Sequence, residues 1–233
     1  MQTQENLTRY YQTLHRDINI PQPHISYLES LKNGGVEPTV IYDIGAAVLH
    51  WTKNAQRLWP TAQIIAFEAV REVEDFYKNY GVKHSIGVFS DLPNKNIIFY
   101  EDPICLGGNS YYRENKIFSP AAEKIYNDSS GKPRTTNTID NEVSLKNYPL
   151  PDFVKIDVQG AEIDILKGMA STLKNVKHLI VELQHVEYNL GARNVTESIP
   201  FIESLGFKLI PQSNGNMYFC GNGPDADYHF VRA

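Results

Sequence analysis

The sequence predicts an α/β fold in which a mostly parallel sheet carries helices on both faces and ends in an antiparallel hairpin. Short apolar strand patterns alternate with helical patterns from residue 39 onward. Such alternation is typical of parallel strands that are joined by helical crossovers. Near the end of the chain, Asn214-Gly215 separates two apolar runs, and this pattern indicates the hairpin.

The element pattern divides the chain into an N-terminal helical segment, residues 1–37, and a main domain, residues 38–233. The N-terminal segment has apolar residues at helical spacing in two stretches, 5–17 and 24–33, which we expect to pack on the main domain. The predicted strands of the main domain are 39–42, 63–67, 83–89, 153–158 and 178–183, followed by hairpin strands 207–211 and 217–220. The predicted helices are 52–58, 72–80, 162–173 and 196–205.

An insertion interrupts the alternation at about residues 94–140. It contains a predicted strand at 96–100, a glycine-rich bend at 106–110 and a polar stretch at 127–133 that predicts an exposed loop. Loops on a rigid scaffold commonly set specificity, so we expect substrate contacts within 101–135. Tyr111, Tyr112 and Arg113 suit a sugar, although tyrosines on such a hairpin also commonly serve only in packing.

Composition limits the kinds of partner. The 233 residues are 42% hydrophobic and 21% charged, as in ordinary globular proteins, and the formal net charge is −5 without a basic run. This argues against a nucleic-acid partner, and no apolar run approaches the roughly 20 residues of a membrane span. Cys105 and Cys220 lack metal-type spacing, which indicates reduced thiols. With no signal-peptide pattern at the N-terminus, a cytoplasmic location is expected, while monomer and homodimer both stay open.

Acidic and small residues follow the predicted parallel strands. Ligands of open α/β sheets bind at these carboxyl ends, so the pattern predicts a site along that edge. The residues are Asp43 and Gly45 after the first strand, Glu68 after the second, Ser90 and Asp91 after the third, 157–160 after the fourth and 182–185 after the fifth.

The first loop helps to distinguish two cofactors. Glu68 follows Asp43 at a spacing that suits the ribose of NAD and of S-adenosylmethionine equally. Residues 45–51 lack the second glycine of G-x-G-x-x-G, which a pyrophosphate requires. S-adenosylmethionine has no phosphate, and its cationic amino-acid end suits Asp43. A nicotinamide-dependent oxidoreductase or epimerase is therefore the second hypothesis, and a binding module with little catalysis is the third.

The stretch 152–168, DFVKIDVQGAEIDILKG, resembles the FkbM family of S-adenosylmethionine-dependent methyltransferases. The resemblance covers roughly residues 38–210. Gln159 stands where the family usually has glutamate, Ala47 replaces the usual asparagine, and a glycine expected near Leu49 is absent. The matching residues are Lys155, Ile156, Asp157, Gly160, Glu162, Leu166 and Gly168, with weaker matches at 40–45, 67–69, 109–110 and 136–140.

The resemblance implies a Rossmann-like class I methyltransferase sheet and an O-methyltransferase (EC 2.1.1.-) that acts on a hydroxyl of a sugar or glycoconjugate. His185 and Asp157 are the candidate catalytic residues, since imidazole titrates near neutrality, although a surface role for His185 is an equal alternative. The expected cofactor-binding residues are Asp43, Gly45, Ala46, Ala47, Glu68, Ala69, Ser90, Asp91, Asn109, Ser110, Asp157 and Gln159.

Other polar residues near these positions have simpler expected roles. Asp157 and Glu182 lie at adjacent strand ends and could share a divalent cation, but two carboxylates are few ligands and no metal is expected. Lys155 is expected to pair with a neighbouring carboxylate, and Asp140 to brace the strand-end loops. Trp51 is expected to lie in the core.

Overall fold

The strands form two sheets in a computed structural model that describes residues 3–101, 106–120, 122–127, 130–212, 214–221 and 223–233. The strands of the described residues are β1 (Val40–Ile44), β2 (Gln63–Glu68), β3 (Lys83–Ile86), β4 (Val88–Phe89), β5 (Asn96–Tyr100), β6 (Gly131–Asn137), β7 (Phe153–Ile156), β8 (His178–Gln184), β9 (Phe207–Leu209) and β10 (Asp225–Arg232). The α-helices are α1 (Gln4–Asp17), α2 (Gln22–Asn33), α3 (His50–Leu58), α4 (Glu74–Tyr80), α5 (Ala122–Ile125), α6 (Ile139–Lys146), α7 (Glu162–Lys167) and α8 (Val195–Ser204).

The larger sheet has the strand order β3-β2-β1-β7-β8-β10-β9. Strands β3, β2, β1, β7 and β8 are parallel, and β10 is antiparallel to both β8 and β9. The predicted mostly parallel sheet with an antiparallel end is thus confirmed. Strands β2 and β3 extend the sheet on one side of β1, and β7 begins the other side. The strand order therefore reverses between β1 and β7, and ligands of open α/β sheets bind at such switch points.

The central strands are buried on both faces, as parallel strands usually are. Alternate residues of β1 face opposite layers. Ile41 packs in one cluster with Leu28 of α2 and Trp51 of α3. Tyr42 belongs to a second cluster, which includes residues of α6, α7 and α8. Trp51 is a buried core residue, as the sequence predicts.

The smaller sheet has the order β4-β6-β5, in which β5 and β6 belong to the predicted insertion and β4 precedes it. The predicted strand 83–89 divides at Gly87, so β3 joins the large sheet and β4 joins the small one. The predicted loop 127–133 is wrong at its end, because 131–133 form the start of β6 and pair with β5. The polar sequence of β6 is half exposed and lacks the apolar alternation that marks a buried strand.

The terminal hairpin uses different residues from those predicted. Strand β9 pairs with β10, whereas in 217–220 only Cys220 makes a bridge, to Asp227. Alternating residues of β10 are buried against β8, and this long ladder decides the pairing. The Asn214-Gly215 turn is present, but it does not join two paired strands. Ser213 of that turn and Cys105 lie outside the described residues.

Helix α7 is shorter than predicted and ends at Lys167. The next residue, Gly168, packs directly on the carbonyl of Ser90, because a Cβ added at Gly168 would lie 2.0 Å from that oxygen. This contact joins the end of α7 to the start of the insertion. The glycine is therefore required by backbone packing between two segments that approach the strand ends.

We predict that Gly168→Ala lowers the free energy of unfolding by about 2 kcal/mol or more, because the new methyl group overlaps a backbone oxygen rather than the end of a flexible side chain. Gly223→Ala is the matched control, since no atom of the residues that the structure describes lies within 4 Å of its added Cβ, and it should change stability by less than about 0.5 kcal/mol. Urea unfolding of both variants measures this. Equal stabilities of the two variants would contradict the proposed contact.

Candidate active site

A cavity of about 100 Å³ lies at the carboxyl ends of β1, β2 and β7. Eight of the predicted cofactor-binding residues line it: Gly45, Ala47, Glu68, Ala69, Asn109, Ser110, Asp157 and Gln159. The structure therefore brings together residues that are more than 100 positions apart in the sequence.

The loop after β1 depends on Gly45. Its φ angle is +77°, and an added Cβ would lie 1.8 Å from the carbonyl oxygen of Asp157. Only glycine permits this approach of the end of β1 to the end of β7. Ala47 and Leu49 also have positive φ angles, of 43° and 64°. Residues with a Cβ disfavour these angles, so the loop carries backbone strain that glycines would avoid.

Hydrogen bonds hold this strained loop in place. The N–H of Ala47 donates to Oε2 of Glu68 at 2.9 Å, and the hydroxyl of Tyr77 donates to the carbonyl of Ala47 at 2.6 Å. Oε1 of Glu68 accepts two more N–H groups, from Ala69 and Val70, at 2.8 and 2.9 Å. Burial raises the pKa of Glu68, and the three N–H donors oppose this effect. Glu68 thus fixes the loop after β1 and also lines the cavity.

Asp157 is the second carboxylate in the cavity wall. Its Oδ2 lies 3.2 Å from Nζ of Lys155, which is buried and also lies 3.5 Å from Oδ1 of Asp43. Burial would raise the pKa of Asp157, but the charge of Lys155 and hydrogen bonds with Glu182, Lys155 and Gln159 together hold this pKa below its usual value. Asp157 is therefore ionised at neutral pH. The expected pairing of Lys155 with a neighbouring carboxylate is present.

Asp43 does not line the cavity. Its side chain is fully buried, accepts a hydrogen bond from the Thr52 hydroxyl at 2.7 Å and faces Lys155. Its position therefore suits a structural role, holding Lys155 and α3. Ala46 is likewise buried behind the cavity, where its N–H donates to the carbonyl of Phe67.

Ser90 and Asp91 lie beside the cavity but not among the described residues that line it. The hydroxyl of Ser90 donates to Asp91 at 3.0 Å and lies 3.1 Å from the hydroxyl of Tyr111. Asp91 in turn lies 3.7 Å from Lys95. These residues fasten the insertion to the strand ends.

Two tyrosines of the insertion are held by one carboxylate. The hydroxyls of Tyr111 and Tyr112 both donate to Oδ2 of Asp164 in α7, at 3.1 and 2.7 Å. Arg113 donates to the hydroxyl of Tyr100 at 2.7 Å. These polar groups have partners within the protein, which favours the packing role over the sugar contact. Tyr111 also lines the cavity.

The two predicted catalytic residues lie in different places. Asp157 lines the cavity, whereas His185 is not among the described lining residues, and its Nε2 lies 2.8 Å from the hydroxyl of Tyr228. His185 follows β8, whose neighbour β10 supplies Tyr228, so the ring packs on β10. The structure therefore places Asp157 in the cavity wall and His185 outside the described lining residues, and the catalytic roles of both stay predictions.

Apolar lining residues were missed because they belong to strand-end runs that predict core. Phe67, Val88, Phe89, Phe99 and Ile165 form much of the wall. Only their positions in the sequence could have indicated a place in the cavity wall, since Phe67 immediately precedes Glu68 and Phe89 immediately precedes Ser90. Asp140 braces a loop as expected, because its carboxylate accepts N–H groups of Ser171 and Thr172 at 2.8 Å each.

Among the described residues, a group with the spacing of metal ligands is His24, Cys220 and Asp227, away from the cavity. The indole N–H of Trp51 donates to Nε2 of His24 at 2.9 Å. The proton of a neutral His24 ring is therefore on Nδ1, which faces Asp227 at 3.0 Å. This internal hydrogen bond occupies the ring nitrogen that would bind a metal.

The sheet order and the strand-end cavity define a class I methyltransferase fold. The family model described as methyltransferase FkbM domain matches residues 43–209, and the chain belongs to this family. This match confirms the resemblance to the FkbM methyltransferase family that residues 152–168 carry. No helix in the part of the chain that the structure describes has the length and apolar character to cross a membrane.

One relative is the hexuronic acid methyltransferase AglP of Haloferax volcanii, which is 32% identical over 76 residues. The match spans 33% of this chain and 31% of that protein. Among solved structures, precorrin-6y C5,15-methyltransferase of Geobacter metallireducens is 16% identical with a TM-score of 0.49, over 93% of this chain and 91% of the other. Human N-acetylserotonin methyltransferase, solved with S-adenosylmethionine, is 11% identical with a TM-score of 0.49, over 99% and 57%. At this level the two structures bear on neither substrate nor mechanism.

Glu162 fixes the loop that carries Asp157. One oxygen of Glu162, Oε1, accepts the N–H groups of Val158 and Gly160 at 3.1 Å each. Burial raises the pKa of this carboxyl to about 7, from an ordinary value of 4.5. Between pH 4.5 and about pH 7, the folded protein therefore keeps a proton on the Glu162 carboxyl, whereas the unfolded chain releases that proton.

The stabilising contribution of this proton is complete below pH 4.5 and is lost as the pH rises through 7. We predict that Glu162→Gln, which keeps the acceptor oxygen, gains about 2 to 3 kcal/mol in stability relative to wild type between pH 5 and pH 8. Urea unfolding across this range measures the difference. Glu162→Ala also removes the acceptor and should destabilise at every pH. A difference between wild type and Glu162→Gln that does not vary with pH would contradict the assignment.

Proposed function

We propose that this protein is an O-methyltransferase that transfers a methyl group to a hydroxyl of a sugar or glycoconjugate. The observation that carries the proposal is the ionised carboxylate of Asp157, which lines the cavity at the end of β7. A carboxylate in this position can accept a hydrogen bond from an acceptor hydroxyl. The carbohydrate relative supports the substrate class, although the match covers only a third of that protein.

The charge of the cavity wall fits S-adenosylmethionine. The wall contains two carboxylates, Glu68 and Asp157, and none of its described residues is lysine, arginine or histidine. A dinucleotide brings a pyrophosphate that needs donors or positive charge, whereas a sulfonium compound carries positive charge itself. The wall therefore disfavours the nicotinamide-dependent alternative.

Particular residues are suited to each part of the cofactor. Glu68 would accept the ribose hydroxyls, and the apolar side chains of Phe89 and Phe99 would surround the adenine. The backbone at Gly45, where a Cβ would fill the space, and the side chain of Gln159 would hold the methionine end. When bound, the cofactor supplies an electrophilic methyl group.

Methyl transfer to oxygen is an in-line displacement, so alignment supplies much of the rate. Asp157 would orient the acceptor hydroxyl and accept its proton as the oxygen–carbon bond forms. The carbon–sulfur bond breaks in the same step and its electron pair stays on sulfur, which becomes a neutral thioether. The proton on Asp157 then passes to solvent. A base in this role contributes a factor of about 10²–10⁴.

Two measurements test the function. Calorimetric titration with S-adenosylhomocysteine and with NAD decides the cofactor, and a response to NAD alone would refute the proposal. Labelled S-adenosylmethionine is then incubated with a panel of neutral, amino and uronic-acid glycans. Label in a base-stable ether on a sugar is expected. Binding of the homocysteine compound without transfer to any glycan of the panel would instead favour a binding module.

We predict that Asp157→Asn lowers kcat by about 100-fold or more while the affinity for S-adenosylhomocysteine changes less than about 10-fold. The amide keeps the size of the side chain but loses the charge that takes the proton. His185→Ala should have a much smaller effect, because His185 lies on Tyr228 and outside the cavity. If kcat fell more in His185→Ala than in Asp157→Asn, the proton acceptor would be His185.

A further inference from the structure

Gln159 connects three parts of the active site. Its φ angle is +58°, and its backbone carbonyl accepts a hydrogen bond from the hydroxyl of Ser110 in the insertion, at 2.7 Å. Its side-chain amide turns toward two carboxylates. Nε2 donates to Oε2 of Glu182 at 2.9 Å and makes a longer contact of 3.5 Å with Oδ1 of Asp157.

The two carboxylates need a positive charge or a donor between them. Glu182 lies in β8, Asp157 immediately follows the neighbouring strand β7, and Asp227 on β10 pairs with Glu182. A divalent cation commonly fills such a position, because hard cations bind several carboxylate oxygens at once. Here Lys155 lies on Oδ2 of Asp157, and the amide of Gln159 contacts Oδ1.

An amide nitrogen is a donor and does not bind a hard cation. To act as a metal ligand, Gln159 would have to turn its oxygen toward the carboxylates and lose its hydrogen bond to Glu182. Burial and the charge of Asp157 also raise the pKa of Glu182 well above its usual value, which favours its neutral form and weakens its attraction for a cation. Both effects weaken the binding of a cation between Asp157 and Glu182.

We propose that Gln159 is a positioning residue whose amide takes the place of a divalent cation between Asp157 and Glu182, so that methyl transfer needs no metal. The catalytic part of this inference rests on the proposed function of Asp157. The cation-binding part concerns the free protein and stands independently. The two parts are therefore tested separately.

The first experiment is a titration of the full-length protein with Mn²⁺, followed by electron paramagnetic resonance. Wild type should bind no Mn²⁺ below about 1 mM. Gln159→Glu replaces the donor with a third carboxylate and should bind Mn²⁺ at least about 10-fold more tightly. The matched control is Gln12→Glu, which adds the same charge at an exposed position of α1 and should behave as wild type.

Micromolar binding of Mn²⁺ by wild type would overturn the proposal. It would also be overturned if a folded Gln159→Glu variant, checked by circular dichroism, bound Mn²⁺ no better than Gln12→Glu. The wild-type titration needs no variant and no acceptor, so it decides the cation-binding part even if the variant fails to fold. The titration gives this result even if no glycan is methylated. A failure of the cation-binding proposal can therefore be distinguished from a failure of the proposed function.

The second experiment measures turnover on the accepted glycan with EDTA and with added Mg²⁺. Wild-type kcat should be the same in both. Gln159→Glu should lose at least about 10-fold in EDTA, since an added charge faces Asp157, and should recover in part with Mg²⁺. A merely structural role of Gln159 would give a loss that Mg²⁺ does not change, and that result would refute the positioning role.

Discussion

The close approach of Gly45 to the carbonyl of Asp157 is the constraint on which the active site depends. Because no side chain separates the ends of β1 and β7, Lys155 can reach both Asp43 and Asp157 and also donate to the carbonyl of Gly45. A buried ion pair of this kind is costly unless its groups are well satisfied. Here one cation is shared by two carboxylates, and the result is a charged Asp157 in the cavity wall.

The loop after β1 keeps its turn with a single glycine, Gly45. Ala47 and Leu49 take up backbone angles that side chains disfavour, and strain of this kind persists only where the surroundings impose it. Glu68 and Tyr77 impose it through bonds to the backbone of Ala47. Glu68 therefore holds the loop and also lines the cavity, so its position after β2 has two separate physical reasons.

Much of the fold could be predicted, because the apolar runs of β1, β2, β7 and β8 are short, continuous and bounded by turns. Asp157, Glu68 and Gln159 could be placed because strand ends of a parallel sheet meet at one edge. The polar strand β6 and the exchange of partners at β10 could not, since they depend on tertiary pairing that leaves little local pattern. His185 shows the limit for side chains: its strand was located correctly, but the hydroxyl of Tyr228 on the adjacent strand determines where its ring lies.

The smaller sheet pairs only within itself among the described residues, and it is fastened to the larger one by side chains and loop contacts, notably those of Tyr111 and Tyr112 with Asp164. Its backbone ladder is thus independent of the strands that carry Glu68 and Asp157. In evolution or in protein engineering, the loops of this sheet could change in shape while the strands that carry Glu68 and Asp157, and the Phe89 and Phe99 side chains at the cavity, are kept. Enzymes with the same chemistry could diverge in substrate by this route.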